Sequence, residues 1–488
     1  MAERYVIQHA LTKEVLSYDL KGVSRGPLKL ALSAVGTVEL TVGPATATAV
    51  ASDGAPVFQE WGTLVTLDDE GQIRFRGIVT DMDYDGSDWK ITVSSMGTYP
   101  FGLPYEGAVY YGAKVDPADI VRLLWDHVQS FADSDLDVTV TGKTSVRIGT
   151  YSTQNKTDTL NAYNAAVAAY NAANSDLKKL RDVVTNSRKR YSDLVTTRTN
   201  ASKALTAAKK TKNAAKIAAA QTTYNQSVDN AKAQQTVIDQ QSASVDAQAK
   251  VVASKKAAKD AAYKLKVAAS KAVKDDGGAY ELLPWEAPDC GSKIKELADS
   301  TPFDWYEKHS WAGDTPQTQI VIAHPRVGRR LSGDGAPLFQ QGVNITVALD
   351  PSTSGEDFAN AAYGVGAGEG VGAIRRSITK RNGKLRRVAA FQSKDIKTAQ
   401  AMDTKLRAEL EARLDTLAVS RIVVSNHLNS PRGSYSLGDD IYVQGQVPHY
   451  GPFGLWHRIV GIAENEDGST ELDLKRSDSF TYGQGVAE

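Results

Sequence analysis

From Asn155 to Asp275, about 120 residues, the chain contains no glycine, no proline and no glutamate. Ala, Lys, Asn, Gln, Ser, Thr and Asp make up most of it. Glycine breaks a helix through backbone entropy, and proline through its missing N–H and its ring. With both absent and alanine abundant, long helix is the natural reading. On either side the sequence is Gly-punctuated, β-branched and aromatic. The chain therefore reads as a β-rich body with a long helical arm, 151–276, inserted into its middle.

Apolar positions in the arm step by three and four: Leu160, Tyr163, Val167, Tyr170, Asn174, Leu177, then Leu180, Val184, Ser187, Tyr191 and Leu194. The Leu177 to Leu180 step reads as a local stammer. The second half gives Tyr224, Val228, Ala231, Gln235, Ile238, Ser242, Val245, Ala249 and Val252. Both series fit a coiled-coil seam. Its residues are small or polar, so each heptad buries little area and the coil is expected to need a partner. An insertion between two strands returns the chain to where it left. A hairpin reversing near Lys209–Lys216 does this, although no Gly or Pro marks the turn.

The 488 residues suffice for three or four domains. Net charge is zero, but the arm holds roughly 22 basic and 9 acidic residues, which leaves about −13 on the rest. Such an arm either contacts an anionic surface (wall polymer, membrane or nucleic acid) or is a helix kept polar by lysine. The single cysteine, Cys290, excludes an intramolecular disulfide and any multi-cysteine metal site. The N-terminus lacks the basic and apolar regions of a secretory signal. No apolar run approaches the length of a membrane span. Synthesis in the cytoplasm without export by a signal is the expectation.

In the first 110 residues, Leu28–Ser33, Thr37–Val42, Gly62–Leu67, Ile73–Val79 and Trp89–Val93 alternate at period two. Turn signals at Ser52-Asp-Gly, Asp69-Glu-Gly and Asp85-Gly-Ser separate them. A small barrel or sandwich is expected. Asp116 reads as an N-cap and Pro117 as the first residue of a helix. Its apolar face is expected at Ile120, Leu123, Leu124, His127 and Val128. Strands are expected at Leu136–Thr141 and Ser145–Thr150. After the arm come a helix at Ser292–Ser300 and strands at Asp304–His309, Thr318–His324 and 343–349. A helix is expected over Ile396–Leu417, with Ala401, Leu406, Leu410 and Leu414 on its apolar side. A last β module begins at Arg421 and has turns at Pro431-Arg-Gly and Glu466-Asp-Gly.

Catalytic constellations are not evident. Seven scattered histidines (His9, His127, His309, His324, His427, His449, His457) form no HExxH or related ligand set. His449 and His457 flank Tyr450-Gly-Pro-Phe-Gly-Leu-Trp, read as a β-hairpin with surface histidines. In Gly364-Val-Gly-Ala-Gly-Glu-Gly-Val-Gly, the spacing of Gly368, Gly370 and Ala373 is that of a dinucleotide loop. The preceding strand and following helix are not evident, nor is a GK[ST] tail, so close backbone packing or a flexible loop is the better reading. No GxSxG elbow occurs. Asp439-Asp440 and Asp68-Asp69 sit beside turns, where Asp caps backbone N–H groups. Cys290, just before a helix, reads as a buried, inert thiol. No catalytic, cofactor-binding or metal residues are assigned, and no cofactor is expected.

Outside the arm, several strings resemble the tail-tip baseplate hub, or minor tail, proteins of long-tailed (siphovirus-type) phages of actinobacteria. They are Pro117-Ala-Asp-Ile-Val-Arg-Leu-Leu-Trp, Tyr280-Glu-Leu-Leu-Pro-Trp-Glu-Ala-Pro-Asp-Cys-Gly and Ser300-Thr-Pro-Phe-Asp-Trp-Tyr-Glu, then Tyr363-Gly-Val-Gly-Ala-Gly-Glu-Gly, Leu437-Gly-Asp-Asp-Ile-Tyr-Val-Gln-Gly and Leu455-Trp-His-Arg-Ile. Their order along the chain carries the resemblance. In similar proteins Arg147-Ile-Gly and Tyr280-Glu-Leu are joined by a short loop, so the arm departs from the family as an insertion there.

The resemblance implies an α+β, baseplate-hub-like fold of two β-barrel domains plus mixed α/β domains, to which the composition of the arm adds a long α-helical coiled-coil hairpin insertion. The expected domains are 1–110, an N-terminal barrel; 111–150 with 277–342, a mixed middle domain; 151–276, the hairpin; 343–420, a second mixed domain; and 421–488, a β module completing a second barrel. It further implies a non-enzymatic homotrimer in the virion tail tip, with a central channel through which DNA passes without specific binding. Implied partners are the distal tail protein, the tape measure protein and tail fibre or spike proteins; the arm, outside the resemblance, is expected to brace neighbouring proteins or reach the host cell surface. The alternatives are a tail-associated cell-wall hydrolase and a component of a bacterial contractile injection system. The arm's thin, alanine-rich face argues against membrane insertion.

Overall fold

The computed structural model describes residues 3–477 apart from 51–53, 55, 302, 348, 350, 354–357, 368–371, 394–395, 397–398, 415–416 and 448–450. The chain forms two compact units, Met1–Thr150 with Ala279–Glu488, and Tyr151–Gly278. The fold is mixed α+β and includes a long helical hairpin.

In the first unit the expected strands appear at Leu28–Ala31, Thr37–Val42, Thr63–Asp69, Gln72–Tyr84 and Trp89–Ser95. Three shorter strands, Arg4–His9, Val15–Ser17 and Val23–Arg25, join them. Alternation buries Val38, Leu40 and Val42, with Phe75, Val79, Ile91 and Val93, in one apolar core. The C-terminal strands Arg421–Val424, Asp440–Val447, Gly451–Glu464 and Thr470–Arg476 enclose another, around Phe339, Ile422, Ile441, Val443 and Leu472. The two sets are one sheet, because Leu28–Ala31 pairs antiparallel with Gly461–Glu464 of the long strand. Leu30 packs against both cores.

A third core is built on helix Pro117–Gln129. Asp116 caps it by accepting from Ala118 N at 2.9 Å, with Pro117 in the first turn. The buried face is Ile120, Val121, Leu124, Trp125 and Val128. Leu123 and His127 are only half-buried, so the face is rotated from the expected one. Volume explains this: Trp125 is among the largest fully buried side chains. Helix Cys290–Ser300, capped by Asp289, adds Cys290, Ile294 and Leu297. Strand Thr315–Ala323 is central between Val138–Thr141, parallel to it, and Asp304–Ala312, antiparallel.

Three other expectations are corrected. Residues 145–150 are not a strand; only an isolated Val115–Ile148 bridge forms. At 343–349 the chain turns at 342–344, and Ile345 bridges Gln341 and Val424; residue 348 lies outside the described residues. Asn344 explains the turn, since its side chain accepts from Gln340 N at 2.8 Å and donates to Ser430 Oγ at 2.6 Å. Of the helix expected over Ile396–Leu417, Ala399–Leu414 is helical, Ile396 is not and Leu417 opens strand Leu417–Val419; 397–398 and 415–416 lie outside the described residues. Met402, Leu406 and Leu410 form the helix's buried side. They pack on a sheet in which Ala361–Val365 lies between Arg375–Thr379 and Val388–Gln392.

The second unit is an antiparallel hairpin of helices Ser152–Lys210, 59 residues, and Ala214–Asp276, 63 residues. Each is roughly 90 Å long at helical rise. At the reversal Lys212 has φ 55° and Asn213 caps the second helix by accepting from Lys216 N at 3.1 Å. At the base Ser152 Oγ donates to Asp276 Oδ1 at 2.7 Å.

The seam has no stammer. Its buried and half-buried positions run Tyr163, Ala166, Tyr170, Ala173, Leu177, Leu180, Val184, Ser187, Tyr191, Leu194, Arg198, Ala201, Leu205 and Ala208, an unbroken heptad. Ala166 and Ala173 stand where Val167 and Asn174 were expected; small residues let the helices approach. On the second helix Ser227, Gln234, Gln241 and Gln248 replace Val228, Gln235, Ser242 and Ala249. Gln234 Nε2 donates to Ser187 O at 3.3 Å and Gln248 Nε2 to Ala173 O at 2.9 Å. Near the base, Lys259 and Lys266 occupy seam positions. They lie 4.6 and 4.9 Å from the ring centroids of Tyr170 and Tyr163, which lets the cations stay there.

Candidate functional site

A set of buried charged groups lies where the C-terminal strands meet the hairpin Asp304–Ala323. Arg458 is fully buried. A guanidinium in that position requires a full set of acceptors. Its Nη2 donates to Asp304 Oδ2 at 2.5 Å and Val327 O at 2.9 Å, and its Nε to Gly438 O at 3.1 Å. Asp304 also accepts from Val327 N at 2.7 Å. Next to it Asp440 pairs with Arg326 at 2.8 Å, and Asp439 accepts from Arg329 N at 2.8 Å and Ser436 N at 2.9 Å. Gly328 and Gly438 have φ +85° and +87°, and a Cβ on Gly328 would stand 2.1 Å from the Gly438 carbonyl carbon. Here glycine is required both for conformation and for close approach.

A cavity of about 660 Å³ opens beside this joint, lined by Arg74, Tyr306, Arg329, Arg432, Tyr435 and Glu464 among others. Glu464, nearly buried, is held by both Arg74 and Arg432. Arg25 Nη1 donates to the Glu464 carbonyl at 2.8 Å and its fork closes on Glu3 at 2.7 and 2.6 Å. That hydrogen-bonded fork lowers the Glu3 pKa. The network fastens the first strands to the last.

A smaller cavity of about 280 Å³ reaches Ser95, Glu307 and His309. Glu307 accepts from Ser95 Oγ at 2.6 Å, Gly97 N at 2.8 Å and Met96 N at 3.1 Å. Burial nonetheless pushes it up to about 7. His309 Nε2 lies 3.7 Å from that carboxyl, and Nδ1 is 3.0 Å from Thr318 Oγ1. Burial and then the Arg76 charge bring His309 down to about 3. Arg76 is itself buried, and burial lowers it to about 10. The two groups do not hydrogen-bond to each other; Glu307 is anchored to Ser95 and the turn Met96–Thr98, and His309 to Thr318.

The residues weighed in the sequence are dispersed. His9 accepts from Leu11 N and Thr12 N, His127 from Glu106 N, and His427 from Asn429 N, all serving turns or loops. His324 meets Ser145 at 2.9 Å. His457 corrects the surface expectation: it is fully buried, and its Nε2 accepts from Val419 N at 3.1 Å. His449 lies outside the described residues. Cys290 is buried, and burial raises its thiol to about 12. The glycine run does follow a strand, Ala361–Val365, contrary to expectation, and a Cβ on Gly364 would stand 2.4 Å from Met402 Sδ. Gly368 and Gly370 lie outside the described residues. Asp68 accepts from Gly71 N at 3.3 Å, pairs with Arg4 at 2.8 Å and accepts from Trp311 Nε1 at 3.1 Å. Among the described residues no group of three or more His, Cys, Asp or Glu is placed to hold a metal. No described helix is long and apolar enough to cross a membrane.

Sequence reasoning missed the arginines. Period two in Ile73-Arg-Phe-Arg puts Arg74 and Arg76 on one face and Phe75 on the other, which reads as water against core. Both faces are covered here, so the charged face joins modules.

No protein-family model and no curated protein matches the chain. Among solved structures it is similar to the 43 kDa tail protein of prophage MuSo2 from Shewanella oneidensis, at 11% identity and TM-score 0.46, covering 98% of each chain. It is also similar to a tail protein from Neisseria meningitidis, at 9% identity and TM-score 0.45, again over 98% of each chain. A third likeness is to an Escherichia coli type VI secretion component, itself described as structurally similar to T4 bacteriophage tail proteins. That likeness has 8% identity and TM-score 0.37, over 94% of this chain and 76% of the other.

Proposed function

We propose that this chain is the structural, non-enzymatic hub of a phage tail tip. One observation carries the reading. Five of the six strings that resemble hub proteins, far apart in sequence, meet in two buried joints. Asp304, Gly438, Asp440 and Arg458, from three of them, form the polar joint with the 326–331 segment. Trp125, Leu282 and Cys290, from two others on opposite sides of the inserted hairpin, share one core. Residues that build joints between modules are what a scaffold needs.

In this reading three copies form a ring with a central channel. The distal tail protein and tape measure protein lie on one side, and fibres or spike on the other. The hairpin braces neighbours or reaches the cell surface. The test is co-purification with the distal tail protein, alongside dye release from labelled peptidoglycan. Complex formation without dye release is expected. Dye release, or no complex at micromolar concentrations, overturns the proposal.

A further inference from the structure

Between Arg375 and Arg387, thirteen residues carry seven basic side chains and no acidic one. All seven residues are exposed. Arg376 is engaged by Asp403 through a two-pronged pair at 2.7 and 2.6 Å. The cations of the loop itself are Lys380, Arg381, Lys384, Arg386 and Arg387.

Solvated charge runs are ordinarily loose, and this one is built. Its template is Asn360, only 3% exposed, at the start of the central strand of its sheet. Asn360 Nδ2 donates to Asn382 Oδ1 at 3.0 Å, Leu385 O at 3.1 Å and Lys384 O at 3.3 Å. Its Oδ1 accepts from Arg387 N at 2.8 Å, and its carbonyl from Lys380 N at 2.8 Å. Lys384 also lies 4.7 Å from the Phe358 ring centroid. One buried residue thus ties the loop backbone at Lys380, Lys384, Leu385 and Arg387 to a common point. Preorganisation of like charges costs stability through their repulsion, and it is useful when a polyanion neutralises them.

We propose that the loop 380–387 docks on the phosphodiester backbone of double-stranded DNA. Three of its five cations are arginines, whose planar forks match phosphate oxygens. A regular phosphate array suits a fixed array of donors, with no base readout required. The competing surface, an anionic membrane, fits less well. Leu385, 89% exposed, is the loop's one aliphatic side chain, and a single side chain gives weak insertion. This inference stands apart from the hub reading, because the purified chain alone tests it.

The experiment is fluorescence anisotropy of a labelled duplex of about 20 base pairs, with the full chain, between about 50 and 200 mM salt. Binding is expected, with log affinity falling against log salt at a slope of about −3 to −5. Replacing Arg381, Lys384, Arg386 and Arg387 together by Gln should cost about tenfold or more at about 100 mM salt and make the slope shallower by about three. The melting temperature should not fall, since the replacements relieve repulsion between like charges and leave the Asn360 hydrogen bonds in place. The control is the same replacement of Lys209, Lys210, Lys212 and Lys216 at the tip of the hairpin, which should leave affinity unaltered. Wild-type affinity in the loop variant, or a loss confined to the hairpin variant, overturns the proposal. So does an absence of DNA binding accompanied by capture on phosphatidylserine-containing vesicles.

Discussion

Arg458 Nη2 donates to Asp304 Oδ2 at 2.5 Å across 154 residues of sequence. Both groups are nearly or fully out of water. Removing one partner strands the other, at a cost of about 3–5 kcal/mol. Arg458→Ala should therefore lower the stability of the body by about that amount in urea unfolding followed by tryptophan fluorescence. The double variant Asp304→Leu, Arg458→Met should be less damaged than the sum of its singles. A single variant within about 1 kcal/mol of wild type, the usual range for exposed pairs, would show that the joint is solvated.

The Glu307–His309 pair predicts an unusual pH response. Glu307 is raised from 4.5 to about 7, so the folded state holds its proton more tightly. Its stabilisation is full below about pH 4.5 and is lost as pH rises to about 7. His309 is depressed from 6.5 to about 3, so its contribution is present above about pH 6.5 and is lost as pH falls. Between about pH 4.5 and 6.5 the two slopes oppose and cancel. Glu307→Gln should expose a stability that rises by about 1.4 kcal/mol per pH unit across that window. His309→Gln should expose a fall of similar size. Parallel pH profiles in all three proteins would contradict the two opposed shifts.

Gln241 sits in the hairpin seam between Gln234 and Gln248, and its Oε1 is buried without a partner. Gln241→Leu removes that unsatisfied acceptor and adds apolar contact. A gain of about 1–3 kcal/mol is expected in the helical melt followed by circular dichroism. A loss of stability would mean that Gln241 is bonded in solution.

Excision of the hairpin is the fourth test. Strand Tyr280–Leu282 pairs with Tyr110–Gly112, and a Cβ on Gly149 would stand 2.7 Å from Tyr280 N. The ends left by removing residues 151–278 are therefore adjacent. A short Gly-Ser linker should give a body with native tryptophan fluorescence and a cooperative melt. An aggregated or molten product would contradict this.

Legibility in the sequence followed the physics of each element. Strands with one apolar face announced themselves, as at Thr37–Val42. So did a helix with Asp116 and Pro117 at its start. The hairpin was legible because nothing in it breaks a helix. On its first helix the seam was legible at Tyr163, Tyr170 and from Leu177 to Leu194, and off by one residue where Val167 and Asn174 were chosen over the smaller Ala166 and Ala173. The reversal lacked Gly and Pro; Asn213, an N-cap, was the signal to weigh. Arg458, Glu307 and Asn360 act through partners hundreds or tens of residues away, and no local pattern encodes such pairings.

The most direct test of the hub account is electron microscopy with particle averaging of the purified chain, alone and with the distal tail protein. The account predicts three-fold rings with a central pore and three rod-like projections. Single copies that remain single after the distal tail protein is added would contradict it.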